Sequence, residues 1–243
     1  PRGEILAVAG VQGNGQTELA EVILGLRSPD SGVIRLENAD ITRAKPRQSL
    51  DAGVGFIPED RSTDGIIASF SIADNLVLDQ FRSSAFASFG SLKRGAIARN
   101  ARDKEAEYDI RLTSIGDPVS SLSGGNQQKV VVAREMSRDL TLLVANQPTR
   151  GVDVGSIEFI HRRIVDVRDQ GCAVLLISSE LDEVVSLADR IAVMYRGRIV
   201  GIVPADTGRD VLGLMMAGVP LDEAVAASSD SAHDDGAHRK EEQ

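Results

Sequence analysis

The sequence predicts an α/β domain with a mostly parallel sheet and an inserted helical segment. Short runs of apolar residues alternate with stretches of helical periodicity. These runs are apolar throughout rather than at every second position, which is typical of strands covered by helices on both faces. Between residues 71 and 138 no convincing strand appears. That stretch is therefore predicted to form a helical subdomain.

The predicted elements follow one another along residues 1–220, which we interpret as one domain. The chain of 243 residues is long enough for one such domain with a hydrophobic core. Strands are predicted at 5–9, 54–57, 140–145, 173–177 and 191–195, and helices at 17–27, 71–80, 126–138 and 155–169. Because Pro1 lies so close to the first strand, the chain is expected to be part of a longer protein. The alternative, that it simply starts there, stays open.

Composition argues against several functional classes. The formal net charge of −9 lacks the basic excess that nucleic-acid partners require, so neither DNA nor RNA is expected as a ligand. No stretch approaches the roughly 18 apolar residues of a membrane-spanning helix. Cys172 lies in an apolar run and is expected to be a buried thiol in a reducing compartment. Acidic and small residues dominate 221–243, which is expected to be a disordered tail.

A glycine-rich loop connects the first predicted strand to the first predicted helix. This context fits a P-loop NTPase-like phosphate site, because consecutive backbone N–H groups and a helix N-terminus attract anions. The Thr17 hydroxyl occupies the position that binds Mg²⁺ in such loops. The loop by itself is equally compatible with a tight turn that binds no ligand. The candidate phosphate-binding residues are Gly10, Gly13, Asn14, Gly15, Gln16, Thr17 and Glu18.

Two of these residues weaken the predicted site. Gln16 stands where the loop pattern has a lysine, so a neutral amide replaces a positive charge. A charge contact at about 4 Å is worth on the order of 4 kcal/mol at an effective dielectric of about 20, before desolvation is subtracted. Glu18 places a carboxylate in the first helical turn, where it competes with phosphate for the positive end of the helix dipole. We expect binding to be weakened and catalysis to suffer more.

Two later motifs carry a resemblance to a known family. The segment LSGGNQQK at 122–129 is followed, at the end of an apolar run, by NQPTRGVD at 146–153. In this order they resemble the signature, Walker B strand and D-loop of ATP-binding-cassette (ABC) ATPases, and the resemblance covers residues 1–217. Together with IPEDRSTDGI at 57–66, they are similar to the second cassette of tandem ATPases that serve bacterial sugar and nucleoside importers. The resemblance implies ATP and Mg²⁺ as cofactors.

The resemblance places altered residues at the hydrolytic positions. Asn146 and Gln147 replace two carboxylates, and an amide cannot act as a general base, a loss that typically costs about 10²- to 10⁴-fold in rate. Ser179 falls on the switch position that usually carries histidine. Glu59 falls on the Q-loop glutamine and is still expected to bind Mg²⁺. Harmless drift is an alternative for each position alone, but together with Gln16 they predict impaired catalysis at Gln147 and Ser179.

The signature motif, by contrast, is intact. Ser123, Gly124, Gly125 and Asn126 begin a predicted helix and are expected to bind ATP held by the phosphate loop of a partner cassette. The resemblance implies two partners, a second ABC cassette and a transmembrane permease, and a location on the cytoplasmic face of the membrane. Residues 71–76 resemble the segment that meets the permease, although a helix cap explains them equally well. The transported substrate rests on analogy alone.

Two functions outside this interpretation stay open. A non-transport ABC ATPase acting on nucleic acid would be expected to show a basic face or additional domains. A structural or regulatory cassette would bind no nucleotide. Equilibrium binding of ATP, with and without Mg²⁺, distinguishes the second alternative from a cassette that retains nucleotide.

Overall fold

The structure is a computed structural model that describes residues 1–228. In chain order its strands are β1 (Ile5–Ala9), β2 (Arg35–Leu36), β3 (Ala39–Asp40), β4 (Val54–Ile57), β5 (Ala87–Ser88), β6 (Ser91–Leu92), β7 (Leu142–Asn146), β8 (Ala173–Ser178), β9 (Arg190–Tyr195) and β10 (Arg198–Pro204). Its helices are α1 (Gln16–Leu24), α2 (Pro46–Asp51), α3 (Ile72–Asn75), α4 (Arg94–Glu107), α5 (Gly124–Glu135), α6 (Val154–Asp169), α7 (Leu181–Leu187) and α8 (Arg209–Met216). The chain also forms a π-helical turn, Arg61–Gly65, and a 3₁₀ turn, Val119–Ser121.

The chain divides into two compact units. The first contains Gly3–Ser49 and the described residues from Ala173 onward, and the second contains Leu50–Cys172. In the first unit the strand order is β10-β9-β1-β8. Strand β1 runs parallel to β8 and β9, whereas β10 is antiparallel to β9. Fully buried side chains of β8, β9 and α8 belong to its core, among them Leu176, Ile191 and Leu212.

The second unit contains one parallel strand pair and the helices α3 to α6. Strand β4 pairs with β7 in parallel, with Val54 opposite Leu142. Apolar side chains of both strands are fully buried, including Ile57 and Leu143. Helix α6 contributes Ile160 and Ile164, which lie four residues apart and therefore share one helix face. This face of α6 is buried.

The parallel pairing confirms the predicted fold class. The predicted strands at 5–9 and 54–57 coincide with β1 and β4, and the other three predicted strands agree with the observed ones within two residues. Strand β10 was not expected. Its sequence contains a glycine and ends in proline, both poor strand residues, and most of its residues are at least partly exposed. Its pairing depends on the tight turn that folds it back onto β9.

The region predicted to be a helical subdomain, 71–138, contains helices but departs from the expectation in two places. The helix expected at 71–80 is only the four residues of α3, because Asn75 is fully buried and its amide donates to the carbonyl groups of Ile67, Phe70 and Ser71. The strands β5 and β6 form a small hairpin where no strand was expected. The compact unit extends beyond both ends of 71–138, and the subdomain boundaries stay a prediction.

The C-terminal prediction is wrong for the first part of the segment. Residues 221–228, expected to be disordered, are helical, and Ala224 is fully buried. Pro220 precedes this helix, and its carbonyl accepts the first helical hydrogen bond, of 2.9 Å, from the Ala224 N–H. The helix buries Ala224, which the low apolar content of the segment did not indicate. The rest of the predicted tail lies outside the described residues.

Two other sequence expectations concern exposure to membrane and solvent. Within residues 1–228, no helix is both long enough and apolar enough to cross a bilayer. Cys172 is buried, as expected, and burial raises the pKa of its thiol to about 11. The thiol is therefore protonated and unreactive near neutral pH.

Candidate functional site

The predicted phosphate loop lies in the first unit, between the end of β1 and the start of α1. Gly13 and Gly15 have φ angles of 89° and 108°, a region that glycine enters without the steric cost of a side chain. Gly15 is the N-cap of α1 and provides no side chain for capping. Thr17 and Glu18 follow in the first helical turn and are exposed. The fold therefore places the predicted loop residues together around a helix N-terminus.

The side chain of Gln16 lies within this loop. Its Oε1 accepts a hydrogen bond of 3.0 Å from the Asn14 N–H, and its Nε2 donates one of 3.1 Å to the Val11 carbonyl. Gln16 is only 7% exposed, and a Cβ added at Gly10 would lie 2.6 Å from its Nε2. The neutral amide thus takes up one of the backbone donors that an anion-binding loop directs at phosphate.

The turn between β9 and β10 braces the same loop. Asn14 Oδ1 accepts a hydrogen bond of 2.8 Å from the Arg196 N–H, and the backbone carbonyl of Asn14 accepts one of 2.7 Å from the Gly197 N–H. Arg196 and Gly197 have φ angles of 47° and 75°, as a tight hairpin turn requires. Sequence reasoning missed this brace, although the pair Arg196-Gly197 between two apolar runs was the available signal. These two hydrogen bonds connect the phosphate loop to the turn between β9 and β10.

Ser179 lies in the same unit, directly after β8. It is partly buried and precedes α7 by two positions. Its neighbour Ser178, rather than Ser179, accepts a hydrogen bond of 3.0 Å from the Glu180 N–H. This hydrogen bond spans the predicted switch position. The predicted role of Ser179 stays a prediction.

The signature motif lies in the second unit, at the N-terminus of α5. Ser123 is the N-cap and is exposed, and its Oγ accepts a long hydrogen bond of 3.5 Å from the Asn126 N–H. Gly124 and Gly125 form the first helical positions, so their N–H groups belong to those that have no partner within the helix. Helix α5 therefore presents its positive end and a serine hydroxyl next to each other.

The two signature glycines have side chains of other elements close beside them. A Cβ on Gly125 would collide with the Asp153 carboxylate and the Ser156 hydroxyl, and a Cβ on Gly124 would collide with the Arg61 guanidinium. Asp153 caps α6, accepting hydrogen bonds of 2.8 Å from the Ser156 hydroxyl and 3.0 Å from its N–H. These two bonds lower the pKa of Asp153 and keep it ionised. The D-loop residue thus packs directly against the signature backbone.

Arg61 also ties the segment after the Q-loop to the D-loop. Its guanidinium donates hydrogen bonds of 3.1 Å to the Arg150 carbonyl and 3.4 Å to the Gly151 carbonyl. The Asp60 carboxylate caps the π-helical turn that begins at Arg61, and its hydrogen bonds from Ser62 and Thr63 lower its pKa. Sequence reasoning singled out this segment only as part of a motif and gave Arg61 no role.

The remaining predicted positions of this unit lie at the end of β7 and after β4. Asn146 ends β7 and is buried, and Gln147 follows with a φ of 50°, in the left-handed region. The Glu59 carboxylate forms an ion pair with Arg150. Any Mg²⁺ bound by Glu59 would compete with this cation. Among the described residues, no group of three His, Cys, Asp or Glu side chains is arranged to hold a metal ion.

Buried polar contacts fix α5 along its length. Gln128 Nε2 donates a buried hydrogen bond of 2.7 Å to the Pro148 carbonyl. Lys129 forms an ion pair of 2.9 Å with Asp109, which lowers the pKa of that carboxyl, and its Nζ also lies 4.8 Å from the centre of the Phe159 ring. These contacts connect α5 to the segments that carry Pro148, Asp109 and Phe159.

A buried ionic network anchors the other end of α5. Glu135 pairs with Arg134 at 2.8 Å and with Arg138 at 3.2 Å, and it accepts a hydrogen bond of 3.1 Å from the Phe56 N–H on β4. Arg138 also forms an ion pair of 2.6 Å with Asp79. Burial and the nearby Glu135 raise the pKa of Asp79. Removing one member of such a network leaves another charge buried and uncompensated. The network connects the end of α5 to β4 through the hydrogen bond between Glu135 and the Phe56 N–H.

Comparison with known proteins connects these motifs to a family. A family model for ABC transporters matches residues 1–150. The chain is 47% identical over 222 residues to the nucleoside import ATP-binding protein NupA of Lactococcus lactis subsp. cremoris, which covers 91% of this chain and 44% of that protein. It is 45% identical to the guanosine import ATP-binding protein NupO of Bacillus subtilis, covering 93% and 44%, and 46% identical to the glucose import ATP-binding protein TsgD13 of Haloferax volcanii, covering 89% and 40%. The chain spans less than half the length of these curated relatives.

Solved structures share the fold. The dimeric structure of a bacterial ABC transporter cassette superposes with a TM-score of 0.72 at 18% sequence identity, covering 86% of this chain and 88% of that one. The dimeric post-hydrolysis state of an ATP-binding cassette bound to ADP and Pi gives the same values. At this identity the likeness establishes the fold and leaves residue roles to other arguments.

Proposed function

This chain is an ATPase domain of the ABC transporter family, and we propose that it serves an importer of a nucleoside or a sugar. Its similarity to proteins named for the import of nucleosides, guanosine and glucose supports this substrate class. The domain would work as one part of a longer ATPase or complex. A permease would hold it on the cytoplasmic face of the membrane, and ATP with Mg²⁺ would be its cofactors.

The mechanism we propose is asymmetric, and the position of the Gln16 side chain carries it. Gln16 fills the phosphate loop, accepts the Asn14 N–H and brings no positive charge to the β- and γ-phosphates. A phosphate group would have to displace this amide without gaining an ion pair. We therefore infer that the domain's own site binds ATP weakly.

Hydrolysis at the same site is proposed to be weaker still. The positions that orient Mg²⁺ and activate water in such cassettes carry the amides of Asn146 and Gln147, which cannot take up a proton. Ser179 offers a hydroxyl where an imidazole is usual. The exposed Thr17 hydroxyl and, after release from Arg150, the Glu59 carboxylate are the proposed Mg²⁺ ligands. The site would hold nucleotide with Mg²⁺ rather than turn it over.

The signature end of α5 is proposed to complete the site of a partner cassette. Ser123 is exposed, the N–H groups of the first helical turn lie beside it, and Asn126 completes the motif. Asp153 and Arg61 pack against the signature glycines, and this packing supports a fixed donor array. Fixed donors aimed at a γ-phosphate stabilise charge without reorganisation during the reaction. This domain would thus contribute to ATP hydrolysis mainly through the partner's nucleotide.

The experiment measures ATP hydrolysis by the assembled ATPase, defined as this domain together with the cassette whose phosphate loop faces its signature. Ser123→Arg is expected to abolish hydrolysis, because a large cation replaces the hydroxyl at the exposed cap of α5. Gln16→Ala is expected to leave the rate almost unchanged, since the loop that it alters serves the weak site. Ser28→Arg, the same substitution at an exposed serine outside both loops, is the control.

Two results would overturn the proposed function. The first is hydrolysis by the isolated domain at a rate usual for such transporters, because it would require a competent site of its own. The second is an assembled ATPase that tolerates Ser123→Arg as well as Ser28→Arg. Absence of ATP binding to this domain even in the assembled ATPase would instead support a purely structural phosphate loop.

A further inference from the structure

The contacts of Asn126 differ from what its place in the signature suggests. The sequence made it a candidate ligand of the nucleotide, yet the two ends of its amide are engaged within the protein. Its Oδ1 accepts a hydrogen bond of 2.8 Å from the Arg111 N–H, and its Nδ2 donates one of 3.0 Å to Ser123 Oγ. Asn126 thus links the loop before the signature to the signature serine.

The chemistry of these partners fixes the direction of the amide. A backbone N–H can only donate, so the group that faces Arg111 must be the amide oxygen. The NH₂ group must then face Ser123, and the reversed amide would place two donors against each other. This orientation follows from hydrogen-bond polarity.

The same polarity determines what the Ser123 hydroxyl can do. Its oxygen accepts a hydrogen bond of 3.0 Å from Asn126 Nδ2 and a longer one of 3.5 Å from the Asn126 N–H. With its oxygen accepting from these groups, the hydroxyl retains its proton for an outside acceptor. Ser123 is exposed and lines, with Arg111, a cavity of about 590 Å³ beside the signature.

We propose that Asn126 is a positioning residue that holds the Ser123 hydroxyl as a donor to the γ-phosphate and does not itself contact the nucleotide. This inference rests on the proposed function, in which the signature faces a partner's ATP. It assigns Asn126 a role that acts only through Ser123. Isosteric replacement of the amide by a carboxylate would reverse the bond, because a carboxylate accepts the serine proton.

A double-mutant cycle in the assembled ATPase tests this role. Asn126→Ala is expected to lower kcat/KM for ATP by about 10- to 100-fold, the range for a hydrogen bond to a charged group. In a Ser123→Ala background the same substitution is expected to have no further effect. Asn126→Asp should lower kcat/KM at least as much as Asn126→Ala, although it preserves the acceptor for the Arg111 N–H. Thermal unfolding of each variant checks that α5 remains folded.

Each outcome separates this inference from the proposed function. If Asn126→Ala costs as much in the Ser123→Ala background as in the unmodified one, Asn126 acts directly or structurally, and the inference is wrong. If the assembled ATPase with Ser123→Ala hydrolyses ATP at the unmodified rate, the proposed function is wrong, and so is the inference that rests on it. Should Asn126→Ala not fold, the cycle is run with Asn126→Asp, and the same comparison decides.

Discussion

The phosphate loop of the first unit and the signature loop of the second both bring glycines to the start of a helix, but they use their donors in opposite ways. In the phosphate loop the Gln16 amide occupies the interior and bonds the Asn14 N–H. In the signature loop the supporting side chains, Asn126 and Asp153, pack beside and behind the backbone, and Ser123 is exposed. The phosphate loop thus uses one of its backbone donors on its own side chain, whereas the signature loop keeps an exposed hydroxyl at its helix start.

The largest effect that would test this comparison is expected from a methyl group added to the signature loop. Gly125→Ala should destabilise the fold by about 1–3 kcal/mol, because the new Cβ meets Asp153 and Ser156 in a packed position. The assembled ATPase should lose about 100-fold in hydrolysis, comparable to the removal of one transition-state donor. Chemical denaturation and steady-state hydrolysis measure the two effects.

Gly13→Ala is the matched control for this substitution. It has a strained φ of 89° but nothing within 4 Å of the added methyl, so it should cost about 1 kcal/mol of stability. Hydrolysis by the assembled ATPase should change little. Equal losses of hydrolysis in the two alanine variants would remove the functional difference between the loops.

The second prediction restores a charge to the phosphate loop. Gln16→Lys should free the Asn14 N–H and add a cation, and it should strengthen ATP binding to this domain by about tenfold or more. Hydrolysis by the isolated domain should remain low, since Gln147 still offers no base. Isothermal titration calorimetry with ATP and Mg²⁺ measures the affinity.

Gln12→Lys, at an exposed glutamine of the same loop, provides the same charge change as a control. Equal affinities for the two lysine variants would contradict the interpretation of Gln16.

The smallest effect on stability at neutral pH is expected from a substitution of Tyr108. Burial raises the pKa of Tyr108 to about 12, so the neutral phenol contributes stability that is fully present below its unfolded pKa of about 10 and is lost as the pH rises through 12. The free energy of unfolding that is lost on ionisation amounts to about 3 kcal/mol, because one pKa unit is worth about 1.4 kcal/mol. Tyr108→Phe should leave stability at pH 7 nearly unchanged and reduce its loss between pH 10 and 12.

Two measurements check the prediction for Tyr108. Urea denaturation of the two proteins at pH 7, 10 and 12 should show curves that diverge only above pH 10. The tyrosinate absorbance that the substitution removes should titrate near pH 12. A difference titration centred near pH 10 would show that Tyr108 is more exposed than its contacts with Phe159 and Arg163 indicate.

Much of the fold could be predicted because the signals are local. Apolar runs mark β1 and β4 to the residue, and glycine patterns mark both loops. The shortened α3 and the unexpected β10 could not be predicted in the same way. Asn75 ends the helical pattern through bonds to carbonyl groups that only the folded chain brings near, and β10 depends on pairing with β9. Long-range pairing leaves little trace in a short window of sequence.

By itself, the sequence determined the family, the strand–loop–helix context and the identity of the altered residues, because motifs and residue types are properties of the chain. It could not decide what Gln16 and Asn126 do. Both are amides with the same donors and acceptors, and their direction depends on which backbone groups the fold places opposite them. The tertiary structure turns the Gln16 amide into the phosphate loop and the Asn126 amide toward Ser123. Hydrogen-bond geometry in the folded protein, rather than residue type, therefore gives the two loops their different arrangements of donors.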